Sequence, residues 1–466
     1  MTTFETEFRS RRSPGVTYQE LLDTDTHPVP AQLRWFSPEY FGSHDVPVER
    51  YTSRAFHELE KERLWKRVWQ MACREEEIPE VGDSIVYDIC DLSFLVVRSA
   101  PDKIQAYWNA CLHRGRQLRE ADGNSAELRC PFHGFCWNLD GTLKQIPSEW
   151  DFPHVKPDEF KLPEVHVGTW GGFVFINPDP GPVEPLESFF DGLTEQFARW
   201  PLEKRYKAAH GAKLLRCNWK VAQEAFMEAF HVVATHPQIL TGIGDANSQY
   251  DVGKNFTRAI TPNGTPSPYL TWTPTEQEMF DSMTDRRLDE PPLLEIPDGM
   301  TARQVAAANA REMWRPAVGD FVDEMSDAEL ADSFYYTAFP NFHPWGAFNR
   351  IVYRFRPNGD DHETSIMECM FLSPYDPSQP KPAPVPIHWI DFDEPWTDAT
   401  ELGLLARVFT QDVFNMPKVQ RGLKTMIKPG VTMSNYQETK IRHMHTRLEE
   451  WLGLQAGQTM RDAGLA

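Results

Sequence analysis

Two cysteines and two histidines fall in two short segments of similar pattern. Cys111 and His113 are separated by one residue, and after sixteen further residues Cys130 and His133 are separated by two. Thiolate sulfur and imidazole nitrogen are ligands of both zinc and iron–sulfur clusters. In a chain this poor in cysteine and histidine, the pattern has chance odds of roughly 10⁻³. The spacing therefore predicts a metal site.

Each of the two pairs contains one cysteine and one histidine. A Rieske-type 2Fe–2S centre needs two thiolates on one iron and two imidazoles on the other. Gly115, Pro131 and Gly134 follow the ligands, and small or rigid residues there let backbone amides approach the cluster sulfurs. A structural Cys2His2 zinc site stays an alternative on these residues alone. Cys136 matches no ligand position, and we interpret it as a buried strand thiol.

A second group of metal-binding residue types lies about 100 residues further along the chain. His231 and His236 are about 140° apart on a straight helix, so one ion binds both only if the helix ends or bulges there. Pro237 follows at once and favours a helix end near Val233. Glu228 lies three residues before His231, on the same predicted helical face, and can accept a hydrogen bond from the imidazole.

A third ligand for this second site is predicted on a helix at 399–416. Asp412 lies there on an apolar stripe with Leu405, Phe409 and Met416, and no cation occurs three or four residues away from it. A buried carboxylate without a partner is costly, and a metal ion removes that cost. Two histidines and one carboxylate form the ligand set of non-haem iron(II).

The sequence patterns around these residues predict two kinds of secondary structure. A helix is predicted over 54–71, followed by short β-branched and aromatic runs and by a hairpin with Asp140–Gly141 at its turn. We therefore predict an all-β module over 46–180, preceded by a polar arm over 1–45 that packs on the surface or on a partner chain. Beyond it, the predicted strands lie within 331–376 and the predicted helices at 218–233, 399–416 and 437–453. This mixture predicts an α+β domain with an antiparallel sheet over 181–466.

Charge and hydropathy exclude several classes of protein. The formal net charge of −21 disfavours binding to nucleic acid and to anionic membranes. We find no apolar run long enough for a transmembrane helix and no apolar segment typical of a signal peptide. Seven sparse cysteines do not indicate a disulfide framework. The expected location is the cytoplasm.

Four segments together resemble one protein family. CLHRG (111–115) and CPFHGFCWNLDGTL (130–143) resemble the two cluster loops of the large (alpha) subunit of Rieske non-haem iron ring-hydroxylating oxygenases. NWKVAQEAFMEAFHVVATH (218–236) and QDVFNM (411–416) are similar to the family's catalytic-iron segments. The resemblance implies an all-β Rieske domain and a catalytic domain of the helix-grip, START-like type. It also implies that the four cysteine and histidine residues bind a 2Fe–2S cluster, and that His231, His236 and Asp412 bind mononuclear Fe(II).

The resemblance further implies a function and its partners. The chain would be the terminal oxygenase of a multicomponent system, using O₂ and electrons relayed from NAD(P)H by a separate reductase, with or without a ferredoxin. The expected reaction is dihydroxylation, monohydroxylation or demethylation of a small hydrophobic substrate, aromatic or polycyclic, as in aromatic hydrocarbon catabolism. The alternatives are a Rieske electron carrier and a zinc-stabilised binding protein. Pocket-lining candidates are Phe226, Met227, Phe230, Val232 and the strand around Phe334–Phe342.

The implied assembly is a head-to-tail homotrimer, with or without a small beta subunit. In the family, the carboxylate that matches Glu228 bridges a cluster histidine of one subunit and an iron histidine of the next. That residue is usually aspartate, whereas glutamate is one methylene longer. The chain contains no GxGxxG motif that opens a βαβ unit, so electrons must come from a separate reductase.

Overall fold

The structure is a computed structural model, and it describes residue 13 and residues 15–284 and 291–465. The described chain divides into two compact units. The larger unit comprises Met1–Phe56, Phe190–Arg356 and His362–Ala466, and the smaller comprises His57–Phe189 and Pro357–Asp361.

These limits differ from the predicted domain limits, 46–180 and 181–466. Residues 46–56 belong to the larger unit because Val46 and Pro47 pair with Val431 and Gly430 in a two-stranded sheet.

The described residues form the following elements in chain order. The α-helices are α1 (Tyr18–Leu22), α2 (Ala31–Arg34), α3 (Glu49–Thr52), α4 (Arg54–Glu60), α5 (Leu186–Phe189), α6 (Leu193–Gln196), α7 (Trp219–Glu224), α8 (Val232–Thr235), α9 (Glu276–Met283), α10 (Ala302–Val318), α11 (Asp327–Ala331), α12 (Leu404–Leu423) and α13 (Thr439–Leu452). The strands are β1 (Val46–Pro47), β2 (Gln70–Arg74), β3 (Asp83–Ile89), β4 (Leu92–Ala100), β5 (Lys103–Trp108), β6 (Gly123–Asn124), β7 (Leu128–Arg129), β8 (Cys136–Trp137), β9 (Leu143–Gln145), β10 (Glu164–Trp170), β11 (Phe173–Asn177), β12 (Arg205–Leu215), β13 (Gln249–Val252), β14 (Phe256–Thr261), β15 (Ser333–Ala338), β16 (Phe342–Pro344), β17 (Ile351–Asn358), β18 (Asp361–Pro374), β19 (His388–Ile390) and β20 (Gly430–Val431).

The smaller unit is built from two sheets. One has the strand order β2-β11-β10-β5-β4-β3-β6, and the other has the order β7-β8-β9. The predicted hairpin is confirmed, because β8 and β9 pair antiparallel on either side of Asp140–Gly141. Gly141 has a φ of 80°, and a Cβ there would lie 2.6 Å from the Tyr107 ring, so the turn needs glycine. Cys136 is a buried strand thiol, as predicted.

The helix predicted over 54–71 is confirmed through Trp65 and is wrong beyond it. Helix α4 ends at Glu60, a π-helical turn covers Lys61–Trp65, and β2 begins at Gln70. All five residues of β2 are buried, and the strand pairs with β11. A strand that is buried on both faces is apolar throughout, so the apolar residues of this segment fit a helical spacing although they form a strand.

The larger unit is a sheet covered by helices, as predicted. Its strand order is β13-β14-β15-β16-β17-β18-β12-β19, and the predicted strands over 331–376 are β15 to β18. The β12–β19 pair at one edge is parallel, whereas the sheet was expected to be antiparallel throughout. Helix α12 buries Ala406, Phe409 and Met416 in one core with sheet residues such as Phe355 and Cys369.

The predicted helices of this unit differ in how well they agree with the structure. Helix α13 lies within the predicted range 437–453, and α12 begins later than 399 and continues to Leu423. The segment predicted as a helix over 218–233 begins as one, as expected, but the helix is interrupted, because α7 ends at Glu224 and α8 begins at Val232. Side chains replace the helical bonds between them. The Ala229 N–H donates to Tyr250 Oη at 3.2 Å, and the His231 N–H donates to Glu228 Oε2 at 2.9 Å.

The described part of the N-terminal arm packs on its own chain. Leu22 and Leu33 are buried, Tyr18 Oη donates to Asp332 Oδ2 at 3.0 Å, and the Ser37 N–H donates to Asp251 Oδ1 at 2.8 Å. Surface packing of the arm is therefore confirmed for these residues. Among the described residues, no helix combines the length and apolarity needed to cross a membrane.

Candidate metal centres

The two cysteine–histidine loops of the smaller unit share one backbone geometry. The Cys111 N–H donates to the Arg116 carbonyl at 2.8 Å, and the Gly115 N–H donates to the Cys111 carbonyl at 2.9 Å. The second loop repeats both bonds from Cys130 and Gly134, at 2.8 and 3.0 Å. Both glycines have positive φ, 75° and 81°, so each loop folds back on its cysteine in the same way.

These loops bring the four predicted cluster ligands together. The Cys111 thiol lies within hydrogen-bonding reach of Cys130, and the ring centroids of His113 and His133 are 4.6 Å apart. Burial raises the pKa of the Cys111 thiol, and the backbone N–H groups of His113 and Arg114 oppose it by donating to the sulfur. Such amides are the donors that stabilise a thiolate bound to iron.

One atom of this group shows the fit to a metal directly. His113 Nδ1 is buried and has no hydrogen-bond partner among the described residues. The ring is fixed by stacking on Phe135, at 4.6 Å and 12°, and by the edge-on ring of Phe152 at 5.9 Å. A buried, oriented nitrogen without a partner is costly, and a metal ion satisfies it. The donor set of two thiols and two imidazoles therefore fits a Rieske cluster.

In the larger unit, the three predicted iron ligands converge. Asp412 Oδ1 lies 2.8 Å from His236 Nε2 and 3.5 Å from His231 Nε2. One ligand atom from each of the three residues lies within 4.8 Å of the other two. Asp412 and His236 are buried, whereas the His231 side chain is 27% exposed and forms the open side of the group.

Hydrogen bonds fix which nitrogen each histidine presents. His231 Nδ1 donates to Glu228 Oε1 at 2.8 Å, and His236 Nδ1 donates to Gln411 Oε1 at 2.7 Å. An ionised carboxylate and an amide oxygen accept only, so Nδ1 of each ring carries a proton, and the Nε2 atoms, which face Asp412, are the ones that would bind a metal. Glu228 therefore has a contact that fits its predicted orienting role. The break in the helix brings it to His231 through a turn rather than along one helical face.

Gln411 is a residue that we did not single out from the sequence. It precedes Asp412 on α12, about 100° around the helix, so its side chain reaches His236 from a different side. The Gln238 amide also donates to Gln411 Oε1, at 2.9 Å. The signal available in the sequence was chemical: a ligating histidine needs an acceptor for its second nitrogen, and polar residues next to a ligand are candidates.

The electrostatics of the group call for a cation. Burial raises the pKa of Asp412, but hydrogen bonds and charges from His231 and His236 outweigh it and lower the pKa below its ordinary value. Burial lowers the pKa of His231, but Asp412 and Glu228 outweigh it and raise the pKa to about 10. The raised pKa of His231 shows that the two carboxylates favour positive charge beside them, and a metal ion would supply it in place of the imidazole protons. The residues therefore fit a divalent iron ion.

A cavity of about 220 Å³ opens beside His231 and Asp412 and also includes Glu224 and Glu438. Burial raises the pKa of Glu224 to about 8 and is also the main cause that raises the pKa of Glu438. Glu224 Oε1 accepts hydrogen bonds from Tyr51 Oη and from His445 Nε2, both at 2.9 Å. The sequence did not indicate this network, because its members lie on α3, α7 and α13.

The predicted pocket-lining residues have different surroundings. Phe226 packs on the rings of Tyr353 and Phe409 at 5.2 and 5.7 Å in the hydrophobic core, and it does not line the 220 Å³ cavity. Met227 and Val232 are buried, and so are Phe334 and Phe342 in their strands. Phe230 is 41% exposed, so it does not line an enclosed pocket in this structure.

Fold and site together define a two-centre iron protein, and comparisons with known proteins assign its family. The family model described as "Ring hydroxylating alpha subunit (catalytic domain)" matches residues 194–454, and the model described as "Rieske [2Fe-2S] domain" matches residues 68–156. The chain belongs to the Rieske ring-hydroxylating oxygenase alpha-subunit family, and the family prediction is confirmed. The cofactors of these two domains are a Rieske 2Fe–2S cluster and mononuclear iron.

Relatives at the sequence level differ in what they act on. The chain is 30% identical over 205 residues to the anthranilate 1,2-dioxygenase large subunit of Acinetobacter baylyi, covering 42% of this chain and 43% of that protein. It is 28% identical over 195 residues to the carnitine monooxygenase oxygenase subunit of Escherichia coli, covering 41% and 52%. The chain thus spans about half the length of the curated relatives it matches.

Solved structures agree on the fold. A quaternary ammonium Rieske monooxygenase in complex with L-carnitine matches with a TM-score of 0.61 at 16% identity, covering 88% of this chain and 95% of that one. The naphthalene 1,2-dioxygenase of Rhodococcus sp. matches with a TM-score of 0.56 at 20% identity, covering 88% and 94%. The predicted fold class, an all-β Rieske domain with a helix-on-sheet catalytic domain, is confirmed.

Proposed function

We propose that this chain is the terminal oxygenase component of a multicomponent Rieske oxygenase. The observation that carries the proposal is the convergence of His231, His236 and Asp412 on one point, with both Nε2 atoms turned towards the carboxylate and both Nδ1 atoms held by other side chains. The two alternatives do not account for this group. An electron carrier needs the cluster loops alone, and a zinc-stabilised binding protein needs no site with an exposed side.

Each predicted site residue has a role in the proposal. Cys111, His113, Cys130 and His133 hold the cluster, and His231, His236 and Asp412 hold the mononuclear iron. When bound, the cluster supplies electrons singly and the iron supplies the centre at which O₂ is activated. Buried Asp412 balances the charge of the iron, and the 27% exposure of the His231 side chain leaves an approach from outside.

Glu228 has a second role in the proposal. Its Oε1 orients His231, and its side chain lines the 220 Å³ cavity and is 9% exposed. His133 and its neighbour Phe132 are exposed, with Phe132 at 56%. We propose a homotrimer in which this loop of one copy meets the Glu228 cavity of the next. Glu228 then links the two histidines, despite its extra methylene.

The proposed substrate is a small hydrophobic compound, aromatic or polycyclic. The aromatic compounds named for two of the relatives, anthranilate 1,2-dioxygenase and chlorobenzene dioxygenase, support it. The named relatives include both an aromatic dioxygenase and monooxygenases of carnitine and choline. The test panel therefore contains aromatic acids, polycyclic hydrocarbons and quaternary ammonium compounds, and the products distinguish dihydroxylation, monohydroxylation and demethylation.

The proposal includes a separate NAD(P)H-dependent reductase, with or without a ferredoxin, and leaves room for a small beta subunit. The location proposed is the cytoplasm. The seven cysteines all lie in the described part of the chain, are buried and form no disulfide, which agrees with a reducing compartment.

Two variants test the proposal as a pair. In single turnover under ¹⁸O₂, with the cluster reduced beforehand, the wild type is expected to place labelled oxygen in a product from the panel. Asp412→Ala is expected to keep the visible cluster bands, lose about one iron per chain and form no product. Cys130→Ala is expected to lose the bands and keep mononuclear iron. Product formed by Asp412→Ala would show that the triad is not the reacting centre.

The role of Glu228 is tested separately. Glu228→Gln keeps an amide oxygen to accept from His231 Nδ1, so both metals are expected to stay bound. The rate of product formation in single turnover is expected to fall at least about tenfold, while iron content is unchanged. An unchanged rate would remove Glu228 from the path between the centres and leave it the orienting role alone.

A further inference from the structure

A second and larger cavity lies in the larger unit, away from the metal ligands. Its volume is about 630 Å³, which is in the range of sites that enclose a small organic molecule. Its walls come from the C-terminal part of α10, from the segment that leads into β12, and from the end of β18. These elements are connected within one unit, so the cavity is formed by the fold itself.

The cavity is distinct from the one beside the iron ligands. None of its lining residues is a metal ligand, and none lines the 220 Å³ cavity beside His231 and Asp412. Arg205, the first residue of β12, lines it, whereas the segment that carries the histidines begins after Leu215, the last residue of β12. The cavity is therefore a different site.

The walls are largely aromatic. The rings of Trp314 and Phe348 lie 4.8 Å apart at 36°, and Trp200, Phe321 and Tyr375 complete the apolar surface. Three prolines add rigid apolar edges. Large flat surfaces of this kind favour a planar aromatic body, which stacks or packs edge-on against them.

The charged residues of the cavity are all cations. Arg199, Lys204 and Arg205 line it and no aspartate or glutamate does, although the chain has 68 acidic and 47 basic residues. Arg205 is held in place because its guanidinium donates to the carbonyls of Ala347 and Asn349, at 2.6 and 2.8 Å. Because Arg199 is paired with buried Glu329, Lys204 and Arg205 supply the local positive charge of the cavity.

The three basic residues of the cavity differ in their contacts. Arg199 donates from Nε to buried Glu329 at 3.0 Å and lies 5.1 Å over the Phe321 ring, so it forms part of the wall. Lys204 is exposed, and across the described ranges 15–284 and 291–465 its ammonium has neither an ion pair nor a hydrogen bond. Its charge is available to a ligand at the mouth of an aromatic cavity.

We propose that this cavity binds a planar aromatic carboxylate. The aromatic walls take the ring system, and the Lys204 ammonium pairs with the carboxylate where it leaves the cavity. A neutral ring would gain the same packing without the charge pair, and a cation would be repelled. Binding here is independent of the proposed oxygenase reaction, since no lining residue belongs to either metal centre.

The experiment titrates the metal-loaded chain with 2-naphthoate in a calorimeter. The expected result is a binding event of one equivalent per chain, with a Kd on the order of 10–100 µM for a ligand of this size. Neutral 2-naphthylmethanol, which has the same rings, is expected to bind at least about fivefold more weakly. Equal affinity for the two compounds would overturn the assignment of a carboxylate.

Three variants locate the binding event. Ala317→Trp fills the cavity from α10 and is expected to abolish it. Lys204→Gln is expected to weaken it about fivefold to tenfold. Lys156→Gln removes an exposed positive charge in the other unit and is expected to leave it unchanged. Naphthoate that still binds to Ala317→Trp with full affinity and stoichiometry belongs to the metal centre, and this result would overturn the proposal.

Sedimentation shows whether the cavity is occupied by a second copy of the chain rather than by a small molecule. If 2-naphthoate does not bind to the wild type and Ala317→Trp lowers the mass of the assembly, the cavity is a contact between copies of the chain and the proposal is wrong. If the mass is the same for both proteins and naphthoate binds to the wild type alone, the cavity is the small-molecule site proposed.

Discussion

The cluster loops and the iron triad hold their ligands by different means. In the loops, backbone hydrogen bonds within six residues fold the chain back on Cys111 and again on Cys130, with a glycine of positive φ in each. In the triad, side chains do the positioning: Glu228 holds His231, and Gln411 holds His236. In the first site, the same local backbone conformation therefore occurs in both loops. In the second site, side chains that are distant in sequence position the ligands.

This difference determines where each site is vulnerable. A backbone turn tolerates many side chains but depends on the conformation of one glycine. A site built from side chains tolerates backbone variation but depends on the polar partner of each ligand. The triad also has two unlike partners, an anionic carboxylate on His231 and a neutral amide on His236.

The largest effect expected from this comparison is at Gln411. Gln411→Ala removes the acceptor of His236 Nδ1, so the ring loses its orientation and its preferred tautomer. We expect Fe(II) affinity to fall about 10- to 100-fold, with the visible cluster bands unchanged. The measurement is competitive chelation of the mononuclear iron at several chelator concentrations.

Gln411→Glu is the matched variant. A carboxylate at this position accepts the same hydrogen bond and makes the two histidine partners alike, so iron affinity is expected to stay within about threefold of the wild type or to rise. If Gln411→Ala retained iron as well as the wild type does, the orientation of His236 would come from the packing around its ring. The iron ligands would then depend less on polar side-chain partners, and the two sites would differ less in how they hold their ligands.

Gly115 and Gly134, one in each cluster loop, test whether backbone conformation positions the cluster ligands. Gly134→Ala places a Cβ at 3.1 Å from Pro147 Cγ, whereas Gly115→Ala places one with no atom within 4 Å, and both residues have positive φ. We expect Gly115→Ala to lower the free energy of unfolding of the smaller unit by about 1 kcal/mol and Gly134→Ala by about 2 kcal/mol. Thermal unfolding followed at the cluster bands measures both.

The order of the two glycine variants is the informative result. Equal losses would mean that the backbone conformation alone determines the cost and that Pro147 yields to the added methyl group. A larger loss at Gly115 would mean that the two loops are not equivalent, even though their hydrogen bonds match.

The same contrast explains what could be predicted from the sequence. The cluster loops are visible there because the ligands, the glycines and the hairpin lie within 40 residues, so spacing carries the geometry. Asp412 was found through its apolar helical stripe, which depends on local periodicity too. Gln411 and Glu224 were missed, because their partners lie on other elements far along the chain. The break between α7 and α8 was missed because Tyr250, far from it in sequence, satisfies the Ala229 amide.

A pH-dependent effect is expected from the buried network around Glu224, which has no counterpart in the repeated backbone bonds of the cluster loops. Burial raises the pKa of Glu224 from 4.5 to about 8. Between these values the folded chain holds a proton that the unfolded chain has released, so this group makes the free energy of unfolding fall as pH rises. The expected contribution is about 1.4 kcal/mol per pH unit. Glu224→Gln keeps an acceptor for Tyr51 and His445 and should remove that slope.

Urea unfolding at pH 5.5, 6.5 and 7.5 measures this slope, with Glu203→Gln, at an exposed glutamate of the same unit, as the control. The wild type and the control are expected to lose stability over this range more steeply than Glu224→Gln does. Equal slopes in all three would mean that Glu224 is already ionised at pH 5.5. The cavity beside His231 would then be anionic before any metal binds. The side chains around the triad would in that case attract a cation through net charge as well as through oriented ligands.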